Sequence, residues 1–245
     1  MSTLDTYQVQ LVDDSLSVGA LKFGSFTLKS GRCVLMLIHY YVLFHGHATR
    51  VSPYFFNAGL ISTGPLLNSL GTAYARTIAK ALSPGSKRLP AFDVLFGPAY
   101  KGISLAAVTA VLLHTQHNID VGFAYDRKEA KDHGEGGRMV GFPVAGKRVL
   151  ILDDVMTAGT AVHGALDMIR QAGGEVVGVV MALDREEIGH EGRSAVKELE
   201  TELGGEGRVL AILRMRDLIT WLRDKGRYED IERMEAYWEQ FGVKE

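Results

Sequence analysis

The sequence predicts an α/β fold with a mainly parallel sheet flanked by helices. Two observations predict it: short, β-rich apolar runs alternate with helical patterns along most of the chain, and Gly or Pro punctuation separates them. Gly64 to Leu82 carries small and apolar residues at helical spacing and stops at Ser83-Pro84-Gly85. Phe92 to Phe96 reads as a buried strand, followed by a turn and a helix from about Ile103 to Thr115. Val121 to Ala124 is a second strand and Arg148 to Leu152 a third. Thr160 to Gln171 is a helix closed by Gly173-Gly174, Val176 to Leu183 a fourth strand, and the charged tail from Met215 to Phe241 is helical. No repeat, low-complexity linker or composition break divides the 245 residues, so one domain over 1–245 is expected.

Bulk properties exclude several function classes. A formal net charge of -2 offers no global basic field for nucleic acid, so any phosphate binding has to be local. The single cysteine, Cys33, cannot build a disulfide framework or a Cys-rich zinc site and suits a reducing compartment. The amino-terminal segment has neither a basic start nor an apolar signal core, and a cytoplasmic protein is expected. The apolar run from Cys33 to Phe44 covers twelve residues, short of the roughly 20 that span a bilayer. No membrane and no nucleic-acid partner is expected.

The chemistry concentrates where an apolar strand meets a polar turn. Val149-Leu150-Ile151-Leu152 runs into Asp153-Asp154-Val155-Met156-Thr157-Ala158-Gly159-Thr160-Ala161, placing polar groups at the carboxyl end of a buried strand and the start of a helix. Open α/β sheets bind ligands there. Backbone N–H groups of a tight Thr-Ala-Gly-Thr turn, the helix dipole and the hydroxyls of Thr157 and Thr160 suit a phosphate dianion. Two adjacent carboxylates repel phosphate and suit the paired hydroxyls of a ribose instead. Helix capping alone would need one such residue, not this whole run.

Three further segments have two readings each. Gly97-Pro98-Ala99-Tyr100-Lys101-Gly102 is either an ordinary strand-to-helix turn or a loop that lets backbone and Lys101 approach a ligand. Tyr125 to Gly137, with Arg127, Lys128, Lys131 and His133 and a glycine-rich end, is by composition a solvated charged face. Phe55 and Phe56, taken singly, are core residues.

Together these motifs resemble the type I phosphoribosyltransferases, and among them the orotate phosphoribosyltransferases. The resemblance implies that family's fold, with a small hood from the amino-terminal segment. It implies transfer of the phosphoribosyl group of 5-phospho-α-D-ribose 1-diphosphate to orotate, giving orotidine 5'-monophosphate and diphosphate. By the same resemblance, Lys29, Tyr100, Lys101 and Asp153 through Ala161 (Asp153, Asp154, Val155, Met156, Thr157, Ala158, Gly159, Thr160, Ala161) bind the sugar diphosphate. Phe55, Phe56, Thr157 and the Arg185 of Leu183-Asp184-Arg185 bind orotate, the arginine through its carboxylate. Lys101, Arg127, Lys128, Lys131 and His133 carry the catalytic charge, the last four on a mobile loop shared across a homodimer. Mg²⁺ is the implied cofactor, held mainly by ligand oxygens and water rather than by protein side chains.

Such a loop has an independent rationale. Breaking the C1–O bond leaves positive charge on the sugar and negative charge on the leaving group, so cations that arrive on closure stabilise the transition state. Closure also keeps water from an oxocarbenium-like sugar.

The chain departs from the family in one place. Nineteen residues, Cys33 to Val51, separate Lys-Ser-Gly-Arg from Ser-Pro-Tyr-Phe-Phe where the family has about one, an insertion of eighteen. Its apolar and aromatic content is unlike a solvated loop and reads as translated intron or a gene-model error; an added packed element is the alternative. Two other functions compete with orotate transfer: a phosphoribosyltransferase for another base, and a non-catalytic regulator that senses the sugar diphosphate. The Phe-Phe and Leu-Asp-Arg matches argue against the first, and the retained loop cations against the second.

Overall fold

The computed structural model describes residues 4–27, 51–86, 89–131, 137–155, 160–188 and 194–244. The expectations for Lys29, His133, Met156, Thr157, Ala158, Gly159 and the 33–50 insertion fall outside these residues. For Lys131, Thr160 and Ala161 only the chain path is described.

The chain begins with helix α1 (Thr6–Ser17) and a two-stranded antiparallel hood, β1 (Leu21–Thr27) and β2 (Val51–Phe56). Helix α2 (Gly64–Leu82) leads to β3 (Val94–Gly97), α3 (Lys101–His117), β4 (Gly122–Lys131), β5 (Gly137–Gly141) and β6 (Arg148–Val155). Then come α4 (Thr160–Gln171), β7 (Glu175–Asp184), α5 (Ala195–Glu202), β8 (Val209–Arg214), α6 (Met215–Asp224) and α7 (Tyr228–Phe241).

Six strands form one sheet in the order β5-β4-β3-β6-β7-β8, parallel except for β5. Its central strands are buried on both faces, and successive residues serve opposite cores. Leu95, Leu150, Leu152, Val180 and Ala182 face the layer of α1, α2, α3, α6 and α7. Phe96, Val149, Ile151, Val179 and Met181 face α4 and α5. That period-2 division of an almost wholly apolar run is what double burial requires.

Two helices, α2 and α4, have the bounds the sequence predicts, because Pro65 near one start and Gly173 after the other end mark them chemically. The tail divides: Gly226, at φ +67, ends α6, and α7 begins two residues later. The largest departure is β4. The sequence reads Val121 to Ala124 as strand and Tyr125 to Gly137 as loop, yet the strand continues to Lys131. Its pairing with β5, with Tyr125 opposite Val140 and Asp126 opposite Met139, supplies backbone bonds that no local pattern of charged residues announces.

The strand order also locates a crevice. From β3 the chain moves one way to β4 and β5, then returns to the other side of β3 for β6, β7 and β8. The strand order therefore reverses at β3 and β6, and open α/β sheets hold ligands at the carboxyl ends of the strands at such a point.

Candidate active site

The two strands that precede the candidate phosphate turns end at this crevice. β3 ends at Gly97 and β6 carries Asp153 and Asp154 near its end. The first turn is held very tightly. A Cβ on Gly102 would lie 2.7 Å from Pro98 Cδ and 3.0 Å from the Leu152 carbonyl oxygen, and one on Gly97 would collide with the Gly102 backbone. Glycine at both positions lets α3 start directly against the end of β6. Lys101, the first residue of α3, thereby brings its Nζ to 2.6 Å from Asp154 Oδ2. The Ala99–Tyr100 peptide within this turn is cis.

Other contacts fix the surroundings. Asp126 Oδ1 accepts a hydrogen bond from the Ala99 backbone N–H at 2.6 Å, tying β4 to the turn. Lys128 Nζ sits 4.8 Å from the centre of the Tyr100 ring, which is itself 68% exposed. The Tyr74 hydroxyl of α2 donates to the Asp153 carbonyl oxygen at 2.7 Å. The Asp153 carboxylate accepts from the Asp154 backbone N–H at 2.8 Å. Burial foremost, and the neighbouring Asp154 charge, push the Asp153 carboxyl up to about 6, against the opposing pull of that N–H and Lys101. Arg127 lies on β4, its carbonyl accepting from Arg138 Nε at 3.4 Å.

The expected base-binding residues lie at the next strand. Val155 pairs with Leu183 of β7, two positions before Arg185. Arg185 is packed under the hood: Nη2 donates to Ser52 Oγ at 2.9 Å and the guanidinium lies 4.6 Å from the centre of the Tyr54 ring. Burial alone would favour loss of its proton, but Tyr54 and Glu187 keep it above the ordinary arginine value. Glu187 accepts from Nε at 2.8 Å.

The aromatic pair is divided rather than presented together. Alternation along β2 puts Ser52, Tyr54 and Phe56 on one face and Phe55 on the other. Phe56 packs against the core cluster, whereas Phe55 is 39% exposed and meets the Phe26 ring at 5.7 Å.

The structure thus groups Tyr100, Lys101, Lys128, Asp153, Asp154 and Val155 at one crevice and sets Arg185 at the adjoining strand end. A cleft of about 470 Å³ lined by Leu82, Phe92, His117 and Ile119 lies elsewhere, at the amino ends of β3 and β4, away from this chemistry. Sequence reasoning misses Tyr74, Asp126, Ser52, Tyr54, Glu187 and Tyr237 as site residues. Asp126 sits inside a segment singled out for its cations, and Ser52 and Tyr54 belong to the Ser-Pro-Tyr-Phe-Phe run; the other three carry no local signal.

Comparisons with known proteins give the family. The phosphoribosyl transferase domain family matches residues 76–204. The chain is 46% identical over 241 residues to orotate phosphoribosyltransferase of Thioalkalivibrio sulfidiphilus, covering 98% of this chain and 100% of the relative. It is 46% identical over 240 residues to the enzyme of that name from Methylococcus capsulatus, at 98% and 100% coverage. Among solved structures, orotate phosphoribosyltransferase of Francisella tularensis superposes with a TM-score of 0.76 at 34% identity, covering 95% of this chain and 99% of that one.

Proposed function

The chain belongs to the orotate phosphoribosyltransferases, and from that membership together with the crevice geometry we infer that it is a transferase of pyrimidine biosynthesis. It moves the phosphoribosyl group of 5-phospho-α-D-ribose 1-diphosphate to orotate, forming orotidine 5'-monophosphate and diphosphate. The observation that carries the reading is the pairing of Lys101 with Asp154 across the crevice, a cation and an acidic pair at the ends of two neighbouring strands.

In the reaction the sugar's C1–O bond to diphosphate breaks, the orotate N1–C1 bond forms and N1 loses its proton. Asp153 and Asp154 are proposed to accept hydrogen bonds from the ribose hydroxyls. The Thr157-to-Ala161 turn, with Met156 and Val155 before it, would take the 5'-phosphate and Lys29 and Tyr100 would contact the sugar diphosphate. Lys101 would turn from Asp154 to the diphosphate, where Arg127, Lys128, Lys131 and His133 add charge as the β4–β5 hairpin closes. The Asp126 bond to Ala99 supports this by linking hairpin and turn.

Arg185 is proposed to receive the orotate carboxylate, with Phe56, on the Tyr54 face of β2, as the apolar wall. The described residues contain no group of three or more His, Cys, Asp or Glu side chains arranged to hold a metal. Asp153 and Asp154 are hard oxygen donors, but Asp154 already pairs with Lys101. A Mg²⁺ ion is therefore proposed to sit on diphosphate and water oxygens, where it would neutralise the leaving group. A homodimer sharing the hairpin across its interface and a cytoplasmic location complete the proposal. Among the described residues, no helix is long and apolar enough to cross a membrane.

The test is diphosphate release from the sugar substrate with a panel of bases. Orotate alone should support turnover; preference for uracil or a purine, or binding without turnover, overturns the assignment.

A further inference from the structure

Arg185 is oriented by a cluster that reaches to the last helix. Glu187 Oε1 accepts from Arg185 Nε at 2.8 Å, lies 2.7 Å from Nη2, and also accepts from the Tyr237 hydroxyl at 2.7 Å. Glu186, between the two charged residues, takes φ +49, and its N–H donates to Asp184 Oδ1 at 2.8 Å. This turn folds Arg185 and Glu187 back on one another. The end of α7 and the residues after it then pin the turn: Ile188 N–H donates to the Phe241 carbonyl at 2.9 Å and Val243 N–H to that of Glu186 at 2.8 Å.

The arginine and glutamate side chains are only 8% and 17% exposed, so the pair is nearly dry and its geometry is strongly coupled. Glu187 holds the Nε–Nη2 edge, Ser52 takes Nη2, and Tyr54 covers a face. Tyr237 stands beside the same edge, within hydrogen-bonding reach of both Glu187 and Arg185. The bonds to Glu187 and Ser52 are made at Nε and Nη2, and a planar guanidinium held on one edge and one face presents its opposite, Nη1 end in a fixed orientation.

We propose that Glu187 and Tyr237 are positioning residues for the base, holding Arg185 so that its Nη1 end meets the carboxylate of orotate. The inference rests on the assignment of Arg185 to that carboxylate. Glu187 lies at the opposite edge of the guanidinium and shares its charge with a tyrosine hydroxyl, which limits its repulsion of the incoming anion. What it contributes is pre-organisation: an arginine already held in the bound orientation loses less freedom when the ligand arrives.

The experiment is calorimetric titration of orotidine 5'-monophosphate and uridine 5'-monophosphate, which differ only in the carboxylate. Glu187→Gln should weaken the first about tenfold and leave the second within about twofold. Tyr237→Phe, which keeps the ring against Phe241, should give the same selectivity at about threefold. Equal losses for both nucleotides would mean a merely structural role, and no loss for either would mean no role; each result overturns the proposal. Arg185→Met separates it from the reading beneath. If that variant does not discriminate the two nucleotides, the assignment of Arg185 fails and the proposal with it. If it does and the Glu187 and Tyr237 variants do not, the proposal fails alone.

Discussion

Lys101 Nζ and Asp154 Oδ2 stand 2.6 Å apart, joining the turn after β3 to the acidic end of β6. The lysine is about half exposed and the aspartate mostly buried, so the ammonium can swing outward while the carboxylate stays. Lys101→Ala should lower kcat/KM for the sugar diphosphate by about 10²–10³-fold, as loss of a charge aimed at a leaving group does. Steady-state kinetics with the sugar substrate varied would check this; a change below about threefold would remove Lys101 from the diphosphate site.

Asp153 is expected to set a pH dependence. Its folded-state value of about 6 exceeds the ordinary 3.8, so the fold binds this proton more tightly than the unfolded chain does. The associated stability is fully present below 3.8 and is lost as pH rises through about 6. Asp153→Asn should therefore match the parent protein near pH 4 and exceed it above pH 6, by up to about 3 kcal/mol. Denaturant unfolding at several pH values measures the gap, and a gap that shrinks with pH would refute the sign. The same variant should bind the sugar diphosphate less well, since an amide is a poorer acceptor for ribose hydroxyls than a carboxylate.

Gly102→Ala tests the tight turn. The added methyl would sit 2.7 Å from Pro98 Cδ and 3.0 Å from the Leu152 carbonyl, forcing α3 away from β6. A stability loss of about 1–3 kcal/mol is expected. KM for the sugar diphosphate should rise while affinity for the base changes little.

The two phenylalanines should behave differently. Phe56→Ala is expected to cost about 2–4 kcal/mol of stability and to raise KM for orotate, because this ring packs inward on the Arg185 side of β2. Phe55→Ala, on the exposed face with Phe26, should cost under about 1 kcal/mol. Thermal unfolding combined with orotate kinetics separates them, and equal effects would contradict the face assignment.

Removal of Cys33 to Arg50 is expected to preserve transfer. Thr27 and Val51 are paired across the hood, so residues 28–32 would remain to join them, a length ordinary for a hairpin. Orotate-dependent diphosphate release at or above that of the full chain, with improved solubility, is the expected outcome; an inactive deletion would make the segment functional.

What could be read from the sequence depended on how local its cause was. The bounds of α2 and α4 are written in neighbouring Pro, Gly and Thr residues, and Asp153-Asp154 follow an apolar run that has to be buried. The length of β4 was not readable, because β5 determines it. Tyr74 reaches Asp153 across 79 positions, Tyr237 reaches Glu187 across 50 and Ser52 reaches Arg185 across 133. No window of sequence contains those pairs, so the support beneath Asp153 and Arg185 appears only once the chain has closed. The division of Phe55 from Phe56 follows from strand alternation, but only after the segment is known to be a strand.

The hood carries a different kind of consequence. A two-stranded ribbon is marginal by itself, and β2 draws support from α7 and Arg185, both remote in sequence, whereas the acidic pair stands in a six-stranded sheet. The contacts that cover Arg185 therefore rest on a weaker local scaffold than those around Asp153 and Asp154. Partial opening of the hood would strip Ser52 and Tyr54 from Arg185 while the Lys101–Asp154 pair stayed assembled, so binding of orotate is expected to lose its tolerance to heat or denaturant before binding of the sugar diphosphate.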